Sequence, residues 1–137
     1  MADNSHLILQ YQEQSVSTMS KGDQLVLLYD ELIKSLKHAS ILFGQGQDEQ
    51  AKKRTAKARN IVNYLYAILD DRYGLSAELK RIYSHLLTQI IRANVSGDAK
   101  LLDAEIPSLQ GLRDAWAQAE KSLRKRSGAK GKERAAL

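Results

Sequence analysis

The chain reads as an all-α protein, an antiparallel up-and-down four-helix bundle with a short N-terminal segment packed on it and a disordered basic C-terminal tail. Three observations carry that expectation. Apolar residues recur at three- and four-residue steps along most of the chain. The periodic stretches are separated by short breaks holding Gly and Asp. No stretch alternates with period two for long enough to make a strand. The boundaries expected are 1–19 for the N-terminal cap, 20–123 for the bundle and 124–137 for the tail.

Ser20-Lys21-Gly22-Asp23 has the form of a capping box, in which the hydroxyl accepts from a first-turn amide and the acid reaches back. Leu25, Leu28, Tyr29, Leu32, Ile33, Leu36 and Phe43 then mark one face of a first helix, stopped near Gly44 and Gly46. Asp48 is placed to cap a second helix with Ala51, Ala58, Ile61, Val62, Leu65 and Leu69 inward. Its early cations, Lys52, Lys53, Arg54, Lys57 and Arg59, read as a solvated face.

Asp70-Asp71-Arg72-Tyr73-Gly74 breaks the pattern as a turn. Ser76 opens a third helix with Leu79, Ile82, Tyr83, Leu86, Leu87, Ile90 and Asn94 on one side, ended by Gly97. Asp98 caps a fourth, carrying Leu102, Ile106, Leu109, Leu112, Trp116, Ala119 and Leu123. Pro107 lies inside that segment and is expected to kink it. Four helices of this length, joined by short turns, pack as an up-and-down bundle.

Two features exceed what a bundle core requires. Val26 and Leu27 make the start of the first helix apolar on more than one side, so it needs a second cover. The N-terminal Leu7, Ile8, Leu9 and Tyr11 are candidates for that cover. Secondly, several of the six tyrosines, among them Tyr64, Tyr66 and Tyr73, fall off the stripes. Tyrosine supplies large contact area at small entropy cost, so as a group they suggest a binding surface.

Charge points the same way. Of 21 basic and 16 acidic residues, the tail after Leu123 takes six and one, so 15 of each remain in residues 1–123. The net charge of +5 therefore sits on the tail, and a neutral body without interleaved aromatics in its basic run argues against specific nucleic-acid binding. With no cysteine there is neither a disulfide framework nor a thiolate zinc site, which suits a reducing compartment. The start, MADNSHLILQYQ, lacks the basic and apolar regions of a signal peptide. Apolar runs such as Leu25 to Tyr29 fall far short of the ~20 residues that cross a bilayer. A cytoplasmic location without membrane insertion follows as the expectation.

Chemistry at a reacting centre finds no constellation. Glu-x-x-His pairs for a di-iron site are missing, because Ser35 and Ile82 stand three residues before His38 and His85. Gly44-Gln45-Gly46 lacks the residues of a phosphate cradle and serves as a helix stop. Histidine phosphotransfer on a four-helix bundle is the alternative, with His38 as the acceptor. Such domains usually follow the histidine with a Lys-Gly step, and here Ala39-Ser40-Ile41 follow. No catalytic residue, metal or cofactor is expected.

The segments already quoted also carry a family likeness. Tyr11-Gln12-Glu13-Gln14-Ser15-Val16-Ser17-Thr18 leads to Leu25-Val26-Leu27-Leu28-Tyr29-Asp30. Lys57-Ala58-Arg59-Asn60-Ile61-Val62, Leu75-Ser76-Ala77, Ile82-Tyr83, Ala93-Asn94 and Leu112-Arg113-Asp114-Ala115-Trp116 follow in order. From about residue 8 to residue 123 this resembles the flagellar export chaperones of the FliS family. The resemblance implies a non-enzymatic bundle that clamps the disordered C-terminal segment of flagellin, prevents premature polymerisation and aids secretion by the flagellar type III apparatus, with the export gate as a further partner. It also implies an N-terminal strip that covers part of the groove when cargo is absent. On that basis Tyr11 and Val16 are expected to form the movable cover. Leu25, Leu28, Tyr29, Ile61, Leu65, Tyr83, Ile90 and Asn94 are expected to contact flagellin, several of them doubling as core, with Trp116 as a core anchor. The chain departs from the family where Lys21 and Glu31 replace a frequent Pro and Gly. It departs again at Ser84-His85, Thr88-Gln89 and Pro107.

Overall fold

The computed structural model describes the backbone of residues 21–136 and the side chains of residues 21–126. Among the described residues it holds four long helices, one single-turn helix and no strand. These are α1 (Lys21–Gly44), α2 (Asp48–Ala67), α3 (Leu75–Ser96), α4 (Lys100–Asp103) and α5 (Ile106–Ala136). The all-α bundle expected from the periodicity is what forms. Ser20, the N-terminal cap and its cover over α1 lie outside the described residues.

Each helix ends for a reason visible in its residues. After α1, Gly46 takes a left-handed φ of 73°. The Gln47 amide then donates to the Leu42 carbonyl (2.8 Å) and the Gly46 amide to that of Phe43 (3.0 Å), the paired bonds of a Schellman stop. Gly97 also ends α3 in the left-handed region, at φ 70°, but with the single bond of the simpler αL stop, its amide donating to the Ala93 carbonyl at 2.7 Å. Asp98 Oδ1 accepts from the Lys100 amide at 3.0 Å, while Ala99, not Asp98, takes the N-cap position of the turn that follows. Asp48 does not cap α2. Gln47 precedes the helix without a side-chain bond, and Asp48 sits in the first turn, where a carboxylate still favours the helix dipole. Between α2 and α3, Asp70 organises the expected turn by accepting from the Arg72 amide at 3.0 Å and, through its backbone carbonyl, from the Ser76 hydroxyl.

The fourth periodic segment departs from expectation twice. Pro107 does not kink a continuous helix. The chain breaks after α4, turns at Ala104 and Glu105, and restarts, so Pro107 occupies the first turn of α5. A proline there loses no needed hydrogen bond, because first-turn amides have no intrahelical acceptor. At the other end α5 continues to Ala136, where a disordered tail was expected from residue 124. The tail's Ala, Lys, Arg and Glu are good helix formers, and extending an existing helix needs no new nucleus. Lack of apolar surface argues against packing, not against helix.

Contacts divide the chain into two units. In the larger, Leu28–Arg113, four cross-links fix the topology. Lys57 Nζ meets Glu31 Oε2 at 3.0 Å, joining α1 to α2, and Thr55 Oγ1 donates to Asn94 Oδ1 at 2.8 Å, joining α2 to α3. Ser40 Oγ donates to Asp103 at 2.5 Å and Arg113 Nε to Asp30 at 2.8 Å, so the last segment runs antiparallel to α1. Inside this frame Leu32, Leu36, Val62, Leu86, Ile90 and Leu102 are fully buried. Each contributes about 1.5–3 kcal/mol relative to exposure. The other unit joins the start of α1, up to Leu27, with α5 from Asp114 onward, and there Arg124 pairs with Asp23. Its apolar stripe is thin: Leu25, Val26 and Trp116 are half-buried, Ala119 is exposed and Leu123 is 55% exposed. Trp116 is thus a partly covered ring rather than a sealed anchor.

Candidate functional site

The residues expected to touch cargo separate into three groups. Tyr11 and Val16 lie outside the described residues. Tyr29, Leu65, Tyr83 and Ile90 are buried within the larger unit. In this structure they serve as core, the second role that several of the set were expected to play beside cargo contact. The reason is geometric. A three-to-four-residue stripe marks the face of a helix that is covered, and here neighbouring helices do the covering. Leu25, Leu28, Ile61 and Asn94 remain half-buried.

The buried members are held by polar contacts as well as packing. The hydroxyls of Tyr29 and Tyr83 hydrogen-bond to each other. Burial, and then the Tyr29 hydroxyl, push the Tyr83 phenol well above its ordinary value of 10.0. Asn94 accepts from Thr55, which is itself fully buried. No buried side-chain nitrogen or oxygen among the described residues lacks a partner.

The larger unit turns several large apolar side chains outward. On α3, Ile91 is 55% and Val95 86% exposed, with Leu87 half-buried one turn before them. Around the α2–α3 turn, Ile68, Tyr73 and Leu75 are exposed together. The off-stripe tyrosines Tyr64, Tyr66 and Tyr73 all face outward, as the sequence pattern implied. Cations lie against two of these rings: Lys80 Nζ is 5.7 Å from the Tyr66 centroid, and the Arg72 guanidinium is 6.0 Å from that of Tyr73. Ile91 and Val95 were missed by sequence reasoning because they lie one position round the helix from the inner stripe. Their signal was the apolar pair Ile90-Ile91, of which a single face can bury only one.

A shallow cleft is lined by Arg81, Ile82, His85, Glu105 and Ser108, and His85 Nε2 lies 2.9 Å from Glu105 Oε1 there. His38 is exposed on α1. No group of three or more His, Cys, Asp or Glu among the described residues is placed to hold a metal. No helix of the described chain is long and apolar enough to cross a membrane.

The class of fold is that of a helical flagellar chaperone. A solved structure described as a flagellar chaperone from bacteria superposes with a TM-score of 0.71 at 19% identity, covering 88% of this chain and 99% of that one. The family model described as flagellar protein FliS matches residues 4–123, and the chain belongs to that family. It is 30% identical over 115 residues to the flagellar secretion chaperone FliS of Bacillus subtilis, covering 84% of this chain and 86% of that protein. It is 27% identical over 109 residues to the protein of the same name from Salmonella typhimurium, covering 77% and 81%. Nothing in these comparisons supports the phosphotransfer alternative at His38, since the relatives are named as chaperones.

Proposed function

We propose that this chain is a cytoplasmic, non-enzymatic export chaperone that binds the disordered C-terminal segment of flagellin. It keeps that segment from assembling filament and brings it to the flagellar type III export apparatus. The observation that carries the reading is membership of a secretion-chaperone family across residues 4–123. The outward apolar surface of the larger unit supports it, for Ile91 and Val95 are the kind of residue that a bundle serving only its own stability would not expose together.

The mechanism needs no reacting group. A disordered segment loses conformational entropy on binding, so its chaperone must offer extended apolar contact to offset that cost. Helix-in-groove docking supplies such contact and at the same time buries the surfaces through which flagellin subunits meet. Leu25, Leu28, Ile61 and Asn94, half-buried, are kept as cargo contacts in this reading, with Tyr11 and Val16 as the cover.

Polymerisation offers a direct functional test. Added in equal amount to monomeric flagellin, the chain is expected to suppress filament growth. Flagellin growth unaffected by the chain at stoichiometric amounts would count against the proposal.

A further inference from the structure

Carboxylates are missing from one stretch of surface. From Ala51 to Leu69 on and just after α2, and again from Leu79 to Gly97 on and just after α3, there is no Asp or Glu. The first stretch contains Lys52, Lys53, Arg54, Lys57 and Arg59, and the second Lys80, Arg81 and Arg92. Four of these find acids beyond the two stretches: Lys52 with Glu49, Lys57 with Glu31, Lys80 with Asp71 and Arg81 with Glu78. Among the described residues no carboxylate pairs with Arg59, and Arg92 donates to the Gln89 amide oxygen at 3.0 Å. Since residues 1–123 balance 15 basic against 15 acidic residues, this hairpin is a local excess of positive charge on a neutral body.

The same hairpin carries the exposed aliphatic strip. Thr55 opposite Asn94, and Tyr66 beside Lys80, set the antiparallel register of α2 and α3. That register puts Lys52 at the level of Val95, Ala56 at that of Ile91, and Arg59 at that of Leu87. Leu87, Ile91 and Val95 follow at four-residue steps, an apolar line about 12 Å long. Small Ala56 stands across from its centre and leaves the line open on the α2 side.

We infer that this α2–α3 face holds one piece of the cargo, an amphipathic helix with its apolar stripe on Leu87, Ile91 and Val95 and with Asp or Glu along its edge toward Arg59 and Lys52. The inference rests on the chaperone reading above and goes beyond it by assigning the face and the chemistry of the segment. Two helical turns of a partner span the apolar line. A partner without acids would strip water from Arg59 and give nothing back, so an acidic edge is required. Nucleic acid fits the charge but not the strip, which offers aliphatic side chains where bases would need rings to stack on.

Titration calorimetry of the full chain with a peptide of the host flagellin's C-terminal segment tests this. The pair Ile91→Ser with Val95→Ser is expected to weaken binding about tenfold or more, the loss of two exposed aliphatic contacts. Arg59→Glu is expected to weaken it about three- to tenfold at low salt and less at high salt. Both variants alter exposed side chains, and circular dichroism with a denaturant midpoint matching the unmodified chain verifies their fold. Both binding within about twofold of the unmodified chain would overturn the assigned face while leaving the chaperone reading intact. No binding by the unmodified chain would remove that reading and the inference with it. Single-stranded RNA bound at physiological salt and released by Arg59→Glu, with flagellin binding unchanged, would overturn it in favour of nucleic acid.

Discussion

Tyr29 and Tyr83 set two phenol hydroxyls against each other inside the larger unit, and the consequences are measurable. Tyr29→Phe leaves the Tyr83 hydroxyl, 2% exposed, without that partner. A loss of about 1–3 kcal/mol is expected by chemical denaturation. The double replacement by Phe should cost less than the two single ones added, since it removes donor and acceptor together. Because the folded state holds the Tyr83 phenol above 10.0, this contribution is fully present below that pH and is lost as pH rises beyond it. The denaturant midpoint should therefore fall in alkaline solution, and fall less steeply for Tyr83→Phe. Sequence placed both tyrosines on inner stripes but could not show that they meet, since their pairing depends on how α1 and α3 are set side by side. It likewise named Ile90, whose neighbour Ile91 is the one that faces outward. Which of two adjacent isoleucines is covered is decided by the neighbouring helices, not by the stripe itself.

At the scale of elements, glycines separate stops from passengers. Gly97 holds a φ of 70° and lies close to the Asp48 carboxylate, so Gly97→Ala should destabilise by about 1–2 kcal/mol. Gly111 lies within α5 with open space where a Cβ would stand, and Gly111→Ala should stabilise by about 0.5–1 kcal/mol. Thermal or denaturant unfolding of the two variants reads the opposite signs directly. These helix ends were readable in advance because Gly at a stop is a backbone requirement local to a few residues. Pro107 was harder. The missing amide could be seen, but whether the chain bends through it or restarts at it depends on the room left by α1, α3 and α4. The link between Glu31 and Lys57 follows the same logic: a family-divergent acid on α1 meets a cation on α2 that looked merely solvated. The Lys57 hydrogen bond, and then its charge, hold the Glu31 carboxyl below its ordinary value.

For the whole molecule, periodicity foretold an all-α bundle because four amphipathic helices leave few other ways to bury their stripes. The division between core and binding surface was not foretold, since both are built from the same residue types. The basic end of α5 should matter little to cargo, given that the exposed aliphatic strip lies within Leu28–Arg113. Removal of residues 124–137 is expected to leave flagellin affinity within about threefold while reducing salt-sensitive, nonspecific RNA binding. A large loss of flagellin binding would instead make the basic end part of the clamp. The most direct measurement is calorimetry of the full chain against intact flagellin and against flagellin lacking its C-terminal segment. A one-to-one complex with intact flagellin only, accompanied by a negative heat-capacity change from apolar burial and ordering, is the predicted result. Equal binding of both proteins, or of neither, would contradict it.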